Sequence, residues 1–188
     1  MSRVVLFISG SPQPTSRSTR VARAVADRLE EGDVLVRRFV LSDFESSDLV
    51  YARGDGRVAS HFVEVARAAS AVIFSTPVYK GTYSGGLKLL IDLIPPDALA
   101  GKTVLAVATA RVGRHFQSVQ RAFDDLYRFF DVGFVIPSVF LLDEQVQTDE
   151  RDARWETNAS LAIERAATAL QSTLLSSELA SEPVSVAG

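Results

Sequence analysis

The chain has 188 residues, of which 47% are hydrophobic and 23% charged, with a formal net charge of -3. That length suits one domain with a substantial core; the scattered arginines give no basic footprint for nucleic acid, and no stretch approaches the ~20 apolar residues of a membrane span. Without cysteine, and with only His61 and His115 as histidines, the sequence excludes disulfides and thiol chemistry, argues against a metal site, and fits a cytoplasmic protein.

Arg3–Ser9 is a β-branched and aromatic run ending in Gly10-Ser11-Pro12, as expected of a central parallel strand covered on both faces. Val21, Ala24, Val25 and Leu29 recur at helical spacing until Gly32, and Val34–Val40 reads as a second strand. Residues 41–56 are irregular. Val58, Phe62, Val65, Ala66 and Ala69 give an amphipathic helix, and residues 71–75 a third buried strand. Ser84 is placed to cap a helix through Leu87, Leu90 and Ile91 that Pro95-Pro96 ends. Residues 103–108 form a fourth strand, Val119 to Phe130 a helix, residues 133–142 a fifth strand, and Trp155, Ala159, Ile163, Ala166 and Leu170 a last helix.

Repeated strand–helix alternation with short connections predicts an α/β fold with an open parallel sheet and helices on both faces. Right-handed crossovers favour the flavodoxin-like strand order 2-1-3-4-5. The expected domain spans residues 1–175, with residues 176–188, small and polar, as a disordered tail.

In such a sheet, ligands bind beyond the carboxyl ends of the strands at the switch point between the first and third. The loop from Gly10 to Thr19 places hydroxyls at a helix start, where free N–H groups and the helix dipole favour phosphate, and Arg17 adds charge. Neither GxGxxG nor a Walker pattern is present, so a monophosphate cradle is the better reading; a plain turn with an N-cap is the alternative. The second loop, residues 76–86, combines glycines with Tyr79 and Tyr83 and suits main-chain approach to a flat ring; the alternative is a strand-to-helix loop whose tyrosines meet another subunit. The third, residues 109–115, offers backbone N–H groups, with Arg111, Arg114 and His115 near a nucleotide's phosphates, although exposed arginine is the commoner fate.

With these loops in view, the chain resembles the NAD(P)H-dependent FMN reductases, particularly those of alkanesulfonate assimilation, over roughly residues 3 to 145. The segment from Thr76-Pro77-Val78-Tyr79-Lys80-Gly81 to Lys88, followed by Ile91-Asp92-Leu93, carries the resemblance most strongly. Gly10-Ser11-Pro12 with Ser16-Arg17-Ser18, and Tyr51-Ala52-Arg53, support it. The resemblance implies FMN, NADPH or NADH as electron donor, a homodimer or homotetramer, and delivery of reduced FMN to a partner flavin-dependent monooxygenase. By position, Ser11, Gln13, Ser16, Arg17 and Ser18 would hold the phosphate. Pro77, Val78, Tyr79, Lys80 and Gly81 would face the isoalloxazine, Thr109, Ala110 and Arg111 its other edge, and Tyr83, Arg114 and His115 the nicotinamide nucleotide. The family usually has Arg at Gln13 and a Gly pair at Ala110-Arg111, and residues 117–123 lack the Tyr or His of a π-type insertion found in some relatives.

Hydride transfer to flavin N5 needs no protein nucleophile, so no catalytic residue is assigned. The alternatives are an FMN-retaining quinone or azo reductase, a flavodoxin-type electron carrier, and a non-catalytic FMN-binding module.

Overall fold

The protein is described from a computed structural model covering residues 3–32, 34–148 and 153–181. Its strands are β1 (Arg3–Ser9), β2 (Val34–Val40), β3 (Ala71–Tyr79), β4 (Thr82–Tyr83), β5 (Thr103–Ala110), β6 (Phe134–Leu142), β7 (Val146–Thr148) and β8 (Ala153–Trp155). Its helices are α1 (Arg17–Glu30), α2 (Ser46–Val50), α3 (Arg57–Ala68), α4 (Gly85–Ile91), α5 (Phe116–Phe129) and α6 (Thr157–Ser181).

The five long strands pair in parallel in the order β2-β1-β3-β5-β6, which is the order expected from the alternation. Short β4 adds an antiparallel hairpin at the end of β3. Strand periodicity divides the core cleanly, because successive side chains leave opposite faces. Val5, Phe7, Ile73 and Leu105 face α1 and α6, and Leu6, Ile8, Phe74 and Val104 face α3, α4 and α5. Each of these side chains is fully buried and contributes roughly 1.5–3 kcal/mol through area removed from water. On the second face Phe62 meets Phe39 and Phe44 edge-on, at centroid distances of 5.1 and 5.4 Å.

Three local features differ from expectation. Residues 41–56 contain a 3-10 turn at Leu41–Asp43 and the one-turn helix α2, too short for a periodic signal. Trp155 ends β8, which pairs with β7, so α6 starts two residues later at Thr157. The helix continues through Ser181, into the stretch from Ser176 that composition gives to a disordered tail; residues 182–188 lie outside the described residues. No helix among the described residues is long and apolar enough to cross a membrane.

Candidate active site

The carboxyl ends of β1, β3 and β5 lie side by side at the switch point. Ser9 is in register with Ser75, and Pro77 with Thr109. The three loops singled out by composition therefore leave the sheet from one edge.

The first loop turns at Gly10, whose N–H donates to the Ser75 carbonyl at 2.9 Å. A Cβ on Gly10 would lie 2.3 Å from Leu87 Cα, so only glycine lets the loop pass this close to α4. Ser16 is the N-cap of α1, its side chain accepting from the Thr19 N–H at 3.3 Å. That position leaves the first-turn N–H groups of Arg17 and Ser18 without intrahelical acceptors, which is the arrangement that attracts an anion. Ser11 and Ser18 are buried and Ser16 half-buried, so the hydroxyls sit in the wall of the loop. The Ser11 Oγ accepts from the Gln13 N–H at 3.2 Å.

Arg17 does not join this hydroxyl group. Its Nε donates to the Val146 carbonyl at 3.4 Å, and a terminal nitrogen lies 3.9 Å from Asp143. The guanidinium thus rests against the connection from β6 to β7, with nearly half its side chain exposed.

The second loop is more regular than its composition suggests. β3 extends to Tyr79, and Val78 and Tyr79 pair with Tyr83 and Thr82. β1 ends at Ser75's level, so Pro77 sits where the strand has lost that neighbour and its missing N–H is tolerated. Lys80 and Gly81 form the two-residue turn with φ of 53° and 84°, both left-handed, as a type I′ hairpin requires. Tyr79 and Lys80 project as exposed side chains. The Tyr83 ring packs on Phe123 of α5 at 5.4 Å, and burial raises its phenol above the usual tyrosine range.

A buried hydroxyl network joins the first two loops. Ser84, N-cap of α4, accepts from the Leu87 N–H at 3.1 Å and donates to the Gly10 carbonyl at 2.6 Å. Its own N–H donates to Thr76 Oγ1 at 2.8 Å, and Thr76 in turn donates to the Pro77 carbonyl at 2.8 Å. Helix capping was the visible signal at Ser84; its role as a clamp between loops was not readable from spacing.

In the third loop, Thr109 and Ala110 are the buried last two residues of β5, whereas Arg111 and Arg114 are exposed. A Cβ on Gly81 would stand 3.5 Å from Ser118 Oγ and 3.8 Å from His115 Nδ1, so the hairpin tip and the start of α5 are neighbours. Phe123 and Phe130 are core residues, and Phe129 is exposed.

The donor set suits FMN. Hydroxyls and helix-start N–H groups meet the chemistry of a phosphate, and the hairpin and the loop that follows β5 suit main-chain approach to a flat heterocycle. The buried Ser75 hydroxyl, without a protein partner, lies on the sheet face that carries Ser9 and α1. Among the described residues no cluster of His, Cys, Asp or Glu could hold a metal ion.

Comparison with known proteins gives this arrangement a family. The family described as NADPH-dependent FMN reductase matches residues 3–147. The chain is 37% identical over 142 residues to an FMN reductase (NADPH) of Escherichia coli (strain K12), covering 76% of this chain and 74% of the relative. It is 36% identical over 143 residues to an FMN reductase (NADPH) of Pseudomonas putida, covering 76% and 73%. In fold it is similar to the apo form of the NADH:FMN oxidoreductase EMOB, with a TM-score of 0.83, 24% identity and coverage of 97% and 92%. The chain belongs to the NADPH-dependent FMN reductase family and is an oxidoreductase of FMN and NAD(P)H.

Proposed function

We propose that the chain reduces FMN at the crevice formed by these three loops and releases the reduced flavin to a flavin-dependent monooxygenase, in the assimilation of sulfonates or other sulfur compounds. When bound, FMN supplies the hydride acceptor and NAD(P)H the donor. The protein's part is to hold two rings in stacking distance and to offer donors where negative charge develops.

In this reading Ser11, Ser16 and Ser18, with the first-turn N–H groups of α1, hold the phosphate, and Gln13 and Arg17 flank it. Pro77, Val78, Tyr79, Lys80 and Gly81 face the isoalloxazine, with Thr109, Ala110 and Arg111 at its other edge. Tyr83 supports the hairpin from beneath through Phe123, and Arg114 and His115 lie toward the nicotinamide nucleotide.

The observation that carries release is the open rim. Gln13, Arg17, Tyr79, Lys80, Arg111 and Arg114 are all exposed, and Gln13 is neutral. A phosphate held by hydroxyls and one exposed cation is held more loosely than one enclosed by buried arginines, because exposed charges are screened. The test is reduction of cytochrome c by NAD(P)H with the gel-filtered protein. Dependence on added free FMN is expected. Retention of stoichiometric FMN through gel filtration, with quinone reduction independent of added flavin, contradicts release and identifies a flavin-retaining reductase.

A further inference from the structure

Beside the three-loop crevice, a cavity of about 640 Å³ runs along α1. Its near end is lined by Thr15, Arg20, Arg23 and Trp155, and its far end carries Asp27 and Glu31. Small-molecule and cofactor sites occupy roughly 300–1,000 Å³, so this space suits a nucleotide.

Two contacts tie the cavity to the phosphate loop. Thr15 belongs to that loop, and its carbonyl accepts from Arg20 Nε at 3.0 Å. On the other wall, Trp155 is in register with Val146, whose carbonyl accepts from Arg17 Nε. Trp155 is half-buried against the core that α1 and α6 share. The cavity therefore begins where the phosphate loop ends, with an indole on one side and arginines on the other.

Charge is graded along it. At 1.5 Å per helical residue, Arg20 and Arg23 stand about 4 and 9 Å beyond Arg17, and Asp27 and Glu31 about 15 and 21 Å. Asp27 is already held by Arg38 at 2.8 Å, whereas Arg23 has no ion pair or hydrogen bond among the described residues. The end nearest the loop is thus cationic and aromatic. In FAD, the FMN phosphate continues into a second phosphate, a ribose and adenine. A cation one or two turns past the first phosphate and a flat wall for the base are what that extension requires.

We propose that this cavity is a subsite for the adenosine monophosphate half of FAD, so that the chain takes FAD as well as FMN as its flavin. Arg20 and Arg23 meet the second phosphate, and Trp155 stacks on the adenine. The subsite adds binding only and leaves hydride transfer to the flavin unchanged. NAD(P)H also carries an adenosine phosphate, but its nicotinamide has to reach the hairpin and the third loop. The adenosine half of FAD is instead bonded to the very phosphate that the loop ending at Thr15 would hold. The inference rests on the phosphate reading of that loop.

The test measures NAD(P)H oxidation with FAD, FMN and riboflavin for wild type, Trp155→Leu, Trp155→Phe and Arg23→Gln. All flavins are assayed on one preparation, so ratios of kcat/KM are independent of the folded fraction. Trp155→Leu is expected to lower the FAD-to-FMN ratio about ten-fold, as for one lost base–aromatic stack, and Trp155→Phe to restore most of it. Arg23→Gln is expected to lower the ratio about three-fold, as for one exposed charge pair. A wild type that reduces FMN but not FAD overturns the proposal, as does a ratio unmoved by Trp155→Leu and Arg23→Gln. A raised KM for NADPH or NADH with FMN as acceptor, at an unchanged FAD-to-FMN ratio, gives the cavity to the electron donor and equally overturns it. Equal use of FMN and riboflavin by the wild type removes the phosphate cradle itself, a distinct failure that takes the subsite with it.

Discussion

The Ser84 hydroxyl donates to the Gly10 carbonyl across 2.6 Å, so one side chain at the start of α4 fixes the turn that follows β1. The same oxygen accepts from the Leu87 N–H, which makes it helix cap and loop clamp at once. Replacing Ser84 with Ala removes both bonds and leaves a buried carbonyl unpaired. The expected loss is about 1–3 kcal/mol of stability, read by denaturant unfolding, together with weaker FMN binding. Ser84→Thr keeps the hydroxyl and is expected to stay within about 1 kcal/mol of wild type.

Gly10→Ala tests the close approach directly. The new Cβ would meet Leu87 backbone and Cβ at 2.3 to 2.4 Å, and backbone cannot swing away as a long side chain does. Destabilisation of about 2–4 kcal/mol is expected, with a raised Kd for FMN. Gly85→Ala is the control, because nothing lies within 4 Å of its Cβ position at the first residue of α4. It is expected to be neutral or stabilising by up to about 1 kcal/mol.

Arg17→Ala probes the cation beside the hydroxyl loop. Its present partners are the Val146 carbonyl and Asp143 at 3.9 Å, and both are weak enough to yield to a phosphate. The variant is expected to raise KM for FMN about ten-fold with little change in kcat at saturating FMN. Asp143→Asn removes the competing carboxylate and is expected to lower KM. Unchanged FMN affinity in Arg17→Ala would remove this residue from the phosphate site.

Much of this architecture was legible in the sequence for plain physical reasons. Residues 5–9 of β1 and all of Thr103–Ala110 are buried on both faces, so mostly apolar runs mark them as central strands, and strand order follows from handed crossovers. Ser84 announced its helix by cap chemistry, whereas the N-cap role of Ser16 is a finding of the structure. The β3–β4 hairpin was not legible, because Lys80 adopts a positive φ that favours Gly or Asn, and Pro77 argues against strand. Trp155 matched the apolar spacing of the last helix by coincidence, and its pairing with Val146 is a tertiary fact. The links from Ser9 to Thr19 and from Gly10 to Ser84 join residues that only the folded sheet brings together.

Stability should depend on pH through Glu30. Arg38 donates to both Glu30 oxygens at 2.8 and 2.7 Å and to Asp27 at 2.8 Å, which holds the Glu30 carboxyl below the usual glutamate range despite partial burial. A carboxyl lowered in the folded state adds stability above its unfolded pKa and loses it as pH falls through the folded value. Exposure limits the contribution to roughly 0.5–1 kcal/mol. Arg38→Met is thus expected to be less stable than wild type near pH 7 and to converge with it at acid pH, measured by urea unfolding. A constant difference across that range would assign the effect to packing.

FMN reduction by NAD(P)H at the three-loop crevice is read most directly from the rate of NADPH and NADH oxidation with added FMN, FAD, riboflavin or menadione. Rapid, saturable oxidation is expected with FMN, slower turnover with riboflavin, and loss of the FMN preference in Arg17→Ala. Absence of turnover with every flavin would contradict FMN reduction by this chain.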